Sequence, residues 1–256
     1  NVMQQNAISH VVFDDSRFDK LVDINNRLQA KSIACPQNLE SLDWGLMDVN
    51  QKRQRQARSR DLAHELGVFA RCTERLFISK VETAIVGGCG LPAHYYPYVP
   101  VGQIRQWAET VRLKRERNTP ESGLFLMIGT AVHPPTYHGF QWFIEQAQRH
   151  GLPDGTRVII IGRGTDKLLP AGTVVPGIEI RGWVAQEELE QLLTSTSAVL
   201  APQFRGFGSL TRLPELAAAG VPMLVSRHST LAMDVPSGVT VVDDNTWDQW
   251  WAGMLT

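Results

Sequence analysis

The chain has 256 residues, 43% of them hydrophobic, enough to bury a sizeable core and to form two lobes. With 25 Lys and Arg against 26 Asp and Glu its formal net charge is −1, so no global field draws it to nucleic acid or anionic lipid. Its three cysteines, Cys35, Cys72 and Cys89, lack Cys-x-x-Cys spacing and a nearby histidine cluster, which argues against a disulfide framework or a zinc site and fits a reducing cytoplasm.

Taken in order, Ile8-Ser-His-Val-Val-Phe13 is a short β-rich run. A polar turn, Asp14-Asp15-Ser16, leads to an amphipathic stretch with Phe18, Leu21, Ile24 and Leu28 at helical spacing. A second strand-like run over 32–35 ends at Pro36, so strand, helix and strand suggest parallel pairing in an α/β layer. A polar helix is predicted over 49–68. Its arginines, Arg53, Arg55, Arg58 and Arg60, share no single face and are interleaved with Asp61 and Glu65, as in a solvated helix rather than a nucleic-acid groove. Residues 75–79 read as a strand whose Ser79 caps the following helix, with Glu82 three residues on completing a capping box.

Pro97, Pro100 and Gly102 punctuate the chain before a charged helix over 104–117 that carries Ile104, Trp107 and Val111 on one side, and 118–123 is a linker by composition. Leu124-Phe-Leu-Met-Ile128 is a buried strand running into Gly129-Thr130. After His133-Pro-Pro135 comes a helix with Phe140, Phe143, Ile144 and Ala147 inward, and residues 156–161 then repeat strand followed by glycine at Gly162-Arg163-Gly164. A strand through Ile180 reaches Gly182-Trp183, and a helix over 186–193 precedes the strand at 198–202. Such alternation makes a parallel sheet with helices on both faces, and ligands of such sheets sit beyond the carboxyl ends of the strands, where these glycines fall.

One stretch concentrates the chemistry. Gly206-Phe207-Gly208-Ser209 turns from a buried strand toward a helix that Ser209 or Thr211 can cap, that carries Leu213, Leu216, Ala217 and Ala219, and that Gly220 ends before Pro222. Free N–H groups at such a turn suit a phosphate. Arg212 and Glu215 lie three residues apart on one face, so a cation and a carboxylate together could hold a diphosphate and a sugar diol. A turn that merely turns, with a solvated Glu215, is the plainer alternative. Arg163 is a phosphate candidate or a solvated loop residue, and Trp183 could stack on a nucleobase or pack as a helix connection does. His133 and His138 read as helix-start and surface residues.

The pattern Gly206-x-Gly208-x3-Arg212-x2-Glu215-Leu-Ala-Ala-Ala-Gly220-Val-Pro222 resembles the donor-binding signature of GT-B glycosyltransferases of the family 4-like group, and the order of motifs over about residues 124–242 is similar throughout. The resemblance implies an α/β fold of two Rossmann-like lobes with parallel sheets: a first, acceptor-side lobe over 1–100 that lacks its beginning, an interdomain helix and linker over 101–121, and a nucleotide-sugar lobe over 122–256. It implies a retaining, metal-independent hexosyltransferase of polysaccharide biosynthesis that needs no cofactor beyond a UDP-, GDP- or ADP-sugar donor. The acceptor would be a glycan or lipid. By the match, Glu215 and Arg212 carry the central roles. Gly129, Thr130, Arg163, Gly182, Trp183, Gly206, Phe207, Gly208, Ser209, Leu210 and Thr211 complete the donor contacts, with Glu215 on the ribose and Arg212 and the loop amides on the phosphates.

Three departures from the family pattern stand out. Gln37 replaces a histidine ahead of Asn38 and Glu40, a segment that otherwise reads as a loop turn. Thr130 and His138-Gly139 stand where relatives carry an arginine and Lys-Gly, and Arg205 replaces a carboxylate. The Arg205 change need not abolish transfer, but Gln37, Thr130 and the absent first strands motivate a second reading, a nucleotide-sugar-binding or regulatory module without chemistry. A phosphorylase or epimerase on the same fold ranks lower. No apolar run approaches the roughly 20 residues that span a bilayer, no signal peptide leads the chain, and Asn1 suggests a fragment. A cytoplasmic protein with room for peripheral membrane contact is therefore expected.

Overall fold

In the computed structural model, residues 8–44, 62–243 and 246–255 are described, and the chain divides into two units. The first comprises residues 1–97 together with Gly206–Ser209, and the second comprises 98–205 and 210–256.

In the first unit, β1 (His10–Phe13), α1 (Asp19–Arg27), β2 (Lys31–Ala34), α2 (Glu40–Trp44), α3 (62–70), β3 (Glu74–Phe77), α4 (Lys80–Gly88) and β4 (His94–Tyr95) follow one another. The four strands form one parallel sheet in sequence order. Phe13, Val22, Ala34, Leu39, Phe69, Phe77 and Val86 build its core, with Phe69 and Phe77 edge to face at 5.6 Å. The predicted helix over 49–68 lies largely outside the described residues, including Arg53, Arg55, Arg58, Arg60 and Asp61; from 62 onward the chain is helical.

Two sequence expectations are corrected here. Helix α1 does not bury the stripe of Phe18, Leu21 and Ile24: Leu21 is 50% and Ile24 49% exposed, whereas Val22 and Asn25 face inward. The reason is polar, since the buried Asn25 amide donates to the Ala30 carbonyl at 2.9 Å and to Ser32 Oγ at 2.6 Å, and these bonds set the rotation of the helix. The capping box at Ser79 is only half formed. Ser79 Oγ accepts from Glu82 N at 3.2 Å, but the Glu82 carboxylate accepts from Leu39 N at 2.6 Å and pins the loop after β2. Glu65 is likewise buried and structural, accepting from Glu40 N, Ser41 N and Ser41 Oγ, and burial holds its carboxyl above the ordinary value despite those bonds.

The second unit runs α5 (Gly102–Arg117), β5 (Leu124–Ile128), α6 (Pro134–His150), β6 (Arg157–Ile161), β7 (Ile178–Gly182), α7 (Gln186–Ser195), β8 (Ala198–Ala201), α8 (Arg212–Ala218), β9 (Met223–Ser226), α9 (Arg227–Thr230), β10 (Val239–Val242) and α10 (Trp247–Leu255). Its strands form a parallel six-stranded sheet in the order β10-β9-β8-β5-β6-β7, so the strand order reverses between β5 and β8. That is the doubly wound order.

Strand β5 shows why both faces are covered. Leu124 and Leu126 enter one core with Ile159, Ile161, Leu213 and Leu216, while Phe125 and Met127 enter the other with Phe143, Ile160 and Trp250. An uninterrupted apolar strand with side chains alternating between faces has no solvent side. Helix α5 packs on α7 and α8 through Ala108 and Val111. Its Arg115 donates to the carbonyls of Leu193 and Thr196, and at 3.1 Å to that of Gly220, satisfying acceptors at the ends of both helices. The tryptophans near the end of the chain do anchor the last helix, as Trp247 and Trp250 pack edge-on against Phe143.

Candidate functional site

In a doubly wound sheet, adjacent strands whose connections leave in opposite directions open a crevice at their carboxyl ends. Here that point lies between Ile128, the end of β5, and Ala201, the end of β8. The side chain that fills it is Arg212. Its Nη1 donates to the Ile128 carbonyl and its Nη2 lies 3.4 Å from Thr136 Oγ1, in the first turn of α6. A methyl group on Gly129 would overlap Arg212 Nη1 and come within 2.7 Å of Thr136 Cγ2, so glycine is what lets the guanidinium reach this depth. Burial pushes the Arg212 pKa down to about 10, against the opposing pull of Glu215. It stays charged at neutral pH.

Other expected residues gather at the same ends of the strands. Gly129 N donates to the Ile161 carbonyl at 3.1 Å, Ala131 N to that of Arg163 at 2.8 Å, and Gly162 N to that of Gly182 at 2.7 Å. A side chain at Gly162 would overlap the Gly129 carbonyl, and Gly162 has φ +126°. The glycines ending β5, β6 and β7 thus lie against one another because their backbones touch. Thr130, Arg163 and Arg205 are exposed. Trp183 is 74% exposed, so its ring is not core packing. His133 is the N-cap of α6 without a side-chain capping bond, and His138 is half-buried.

Glu215 lies in the first turn of α8, and its Oε1 accepts from Tyr98 Oη at 2.7 Å. Burial and then this carboxylate push the Tyr98 pKa up to about 12, so the phenol remains a donor. Neither Tyr98 nor Thr136 was among the residues expected from the sequence. Tyr98 stands 117 residues from Glu215, and nothing local signals the pairing. The helix also begins without the predicted cap: Thr211 is its N-cap, but its backbone is already helical (φ −53°, ψ −28°) and no side chain bonds the first turn. Ser209 lies outside it. Leu210 packs against the core of the second unit.

The turn Gly206–Ser209 is counted with the first unit. Ser79 Oγ donates to the Phe207 carbonyl at 2.6 Å, and a side chain on Gly208 would overlap Asn38 Oδ1. Also within the first unit, a pocket of about 250 Å³ opens beyond β1 and β2, lined by Asp14, Ser16, Gln37, Asn38 and Glu65 among others. Among the described residues there is no group of three His, Cys, Asp or Glu side chains arranged to hold a metal ion, and no helix is long and apolar enough to cross a membrane.

Residues 122–255, more than half of the chain, match the family model described as Glycosyl transferases group 1. The chain belongs to the glycosyl transferases group 1 family. No curated protein matches this family member by sequence. In structure it is similar to sucrose-phosphate synthase from Thermosynechococcus elongatus, with a TM-score of 0.65 at 11% identity over 99% of this chain and 65% of that one. It is similar to TarM at a TM-score of 0.65 and 9% identity over 96% of this chain and 47% of that one. HepE from Anabaena in complex with UDP gives a TM-score of 0.65 at 7% identity over 99% and 70%. The chain therefore spans 65% and 47% of the length of the first two. The fold of this group 1 glycosyl transferase chain is that of the GT-B structures: an α/β chain with two parallel sheets, of four and six strands.

Proposed function

We propose that this chain binds a nucleotide-diphosphate sugar at the carboxyl ends of the second unit's sheet and transfers the sugar to an acceptor. One observation carries the reading: the guanidinium of Arg212 sits at the switch point between β5 and β8, with Glu215 one helical turn beyond it. Breaking the bond between sugar and diphosphate builds negative charge on the leaving group. A cation already fixed in a site of low dielectric, desolvated before the reaction, lowers that barrier without reorganising. Arg212 would face the diphosphate, and Glu215 the ribose diol. The exposed Trp183 and Arg163, beside Gly129, Thr130 and Gly182, would border the base and phosphates. UDP accompanies HepE, and starch synthase IV from Arabidopsis thaliana is bound to ADP and acarbose; both support a nucleotide-sugar donor here.

The finer features belong to the same proposal: retention at the anomeric carbon, no metal requirement, no cofactor besides the donor, a glycan or lipid acceptor, a role in polysaccharide biosynthesis and a cytoplasmic setting. Incubation with UDP-, GDP- and ADP-sugars, with chromatographic detection of released nucleotide in the presence and absence of EDTA, tests it. Release from one donor, unaffected by EDTA, is the expected result, and no release from any donor by the full-length protein counts against transfer.

A second reading, a donor-binding module without turnover, is favoured by Gln37 and Thr130 where relatives carry a histidine and an arginine, and by Ser79 Oγ donating to the Phe207 carbonyl within the glycine turn. Calorimetry separates the two. Donor binding with no hydrolysis or transfer supports the module.

A further inference from the structure

We infer that Tyr98 is a positioning residue for the donor ribose, acting through Glu215 by holding its carboxylate in one orientation. This inference rests on the donor reading above. A glutamate in the first turn of a seven-residue helix keeps three rotatable side-chain bonds, and gripping a diol with both oxygens requires freezing all of them. The phenol of Tyr98, at 2.7 Å from Oε1, does this before any ligand arrives. Among the described residues it is the one hydrogen-bond donor to that carboxylate. One lone pair of Oε1 is used, and the remaining acceptor positions of the two oxygens stay available to a pair of hydroxyls.

The phenol suits the task. It donates one bond without neutralising the charge, whereas a lysine or arginine here would compete with the diol and cancel the charge that attracts it. Its hydroxyl remains protonated far above neutral pH, so the bond persists across the working range. Tyr98 also opens the second unit, directly after the residues assigned to the first, so the segment leading into this unit carries the clamp on Glu215. Because the ribose is remote from the bond that breaks, the clamp belongs to binding rather than to the chemical step.

The test is isothermal calorimetry of the whole chain with UDP, ADP and GDP, followed by the tightest of the three and its 2′,3′-dideoxy analogue on wild type, Tyr98→Phe, Glu215→Ala and the double variant. Tyr98→Phe is expected to weaken the ribonucleotide roughly tenfold, the worth of one bond ordering a charged group, while leaving affinity for the dideoxy analogue within about twofold. In the Glu215→Ala background the same change is expected to have no effect, since the coupling runs through that carboxylate. Equal weakening of both ligands, or full effect in the Glu215→Ala background, would make Tyr98 a general structural residue and overturn the inference; so would undiminished ribonucleotide affinity in Tyr98→Phe. A wild type that binds none of the three nucleotides sinks the donor reading itself, a result distinct from any of these.

Discussion

Arg212 is the cation whose guanidinium donates to the Ile128 carbonyl at the end of β5. Its folded-state pKa of about 10 lies below the ordinary 12.5, because its guanidinium has been taken out of water. The folded state therefore binds fewer protons than the unfolded chain between these values, and stability from this group rises with pH in that window. Below pH 10 the desolvated charge is a cost, about 3 kcal/mol for a shift from 12.5 to about 10. Replacing it with Met is thus expected to leave the melting temperature unchanged or higher while removing nucleotide affinity, which calorimetry and thermal melts on one preparation will show. For the same reason, nucleoside diphosphate affinity should hold through mildly alkaline solution and fall as the pH passes about 10. Tyr98, held near 12, does not contribute to that fall. A flat affinity profile from pH 7 to 11 would disconnect Arg212 from the phosphates.

At the scale of elements, the site depends on backbones that touch. A side chain on Gly139, in the middle of α6, would overlap the Pro202 carbonyl just after β8, so the helix lies directly on the chain leaving that strand. Gly139→Ala forces the helix away from the sheet and should cost about 3 kcal/mol in chemical denaturation; a change below about 0.5 kcal/mol would mean the contact yields freely. Gly129→Ala is more selective. The added methyl meets the Arg212 guanidinium and Thr136 rather than backbone, so donor affinity should drop by more than tenfold with a smaller loss of stability. Helix α1 gives the complementary lesson: the apolar spacing of Phe18, Leu21 and Ile24 was legible in the sequence, yet two hydrogen bonds from Asn25 decided which side faces inward.

For the whole molecule, the second unit has both faces of its sheet covered by its own helices and holds Tyr98, Arg212 and Glu215 together. Residues 98–256 expressed alone should therefore melt in one cooperative transition, followed by circular dichroism, and retain nucleotide binding. A fragment with helical content but no transition would show that the first unit is needed for its packing.

Read alone, the sequence determined the alternation of strands and helices, the glycines at strand ends and the likeness to a glycosyltransferase donor domain. These features are encoded locally, in hydrophobic period, in turn residues and in a motif of contiguous spacing. Only the tertiary structure decided that Arg212 turns inward to the Ile128 carbonyl, that Glu82 reaches Leu39 instead of its own helix start, and that Tyr98 holds Glu215. Each of those is a hydrogen bond closing between groups tens of residues apart. Its partner is chosen by which buried polar atoms the packed sheet leaves to be satisfied, and no periodicity records that choice.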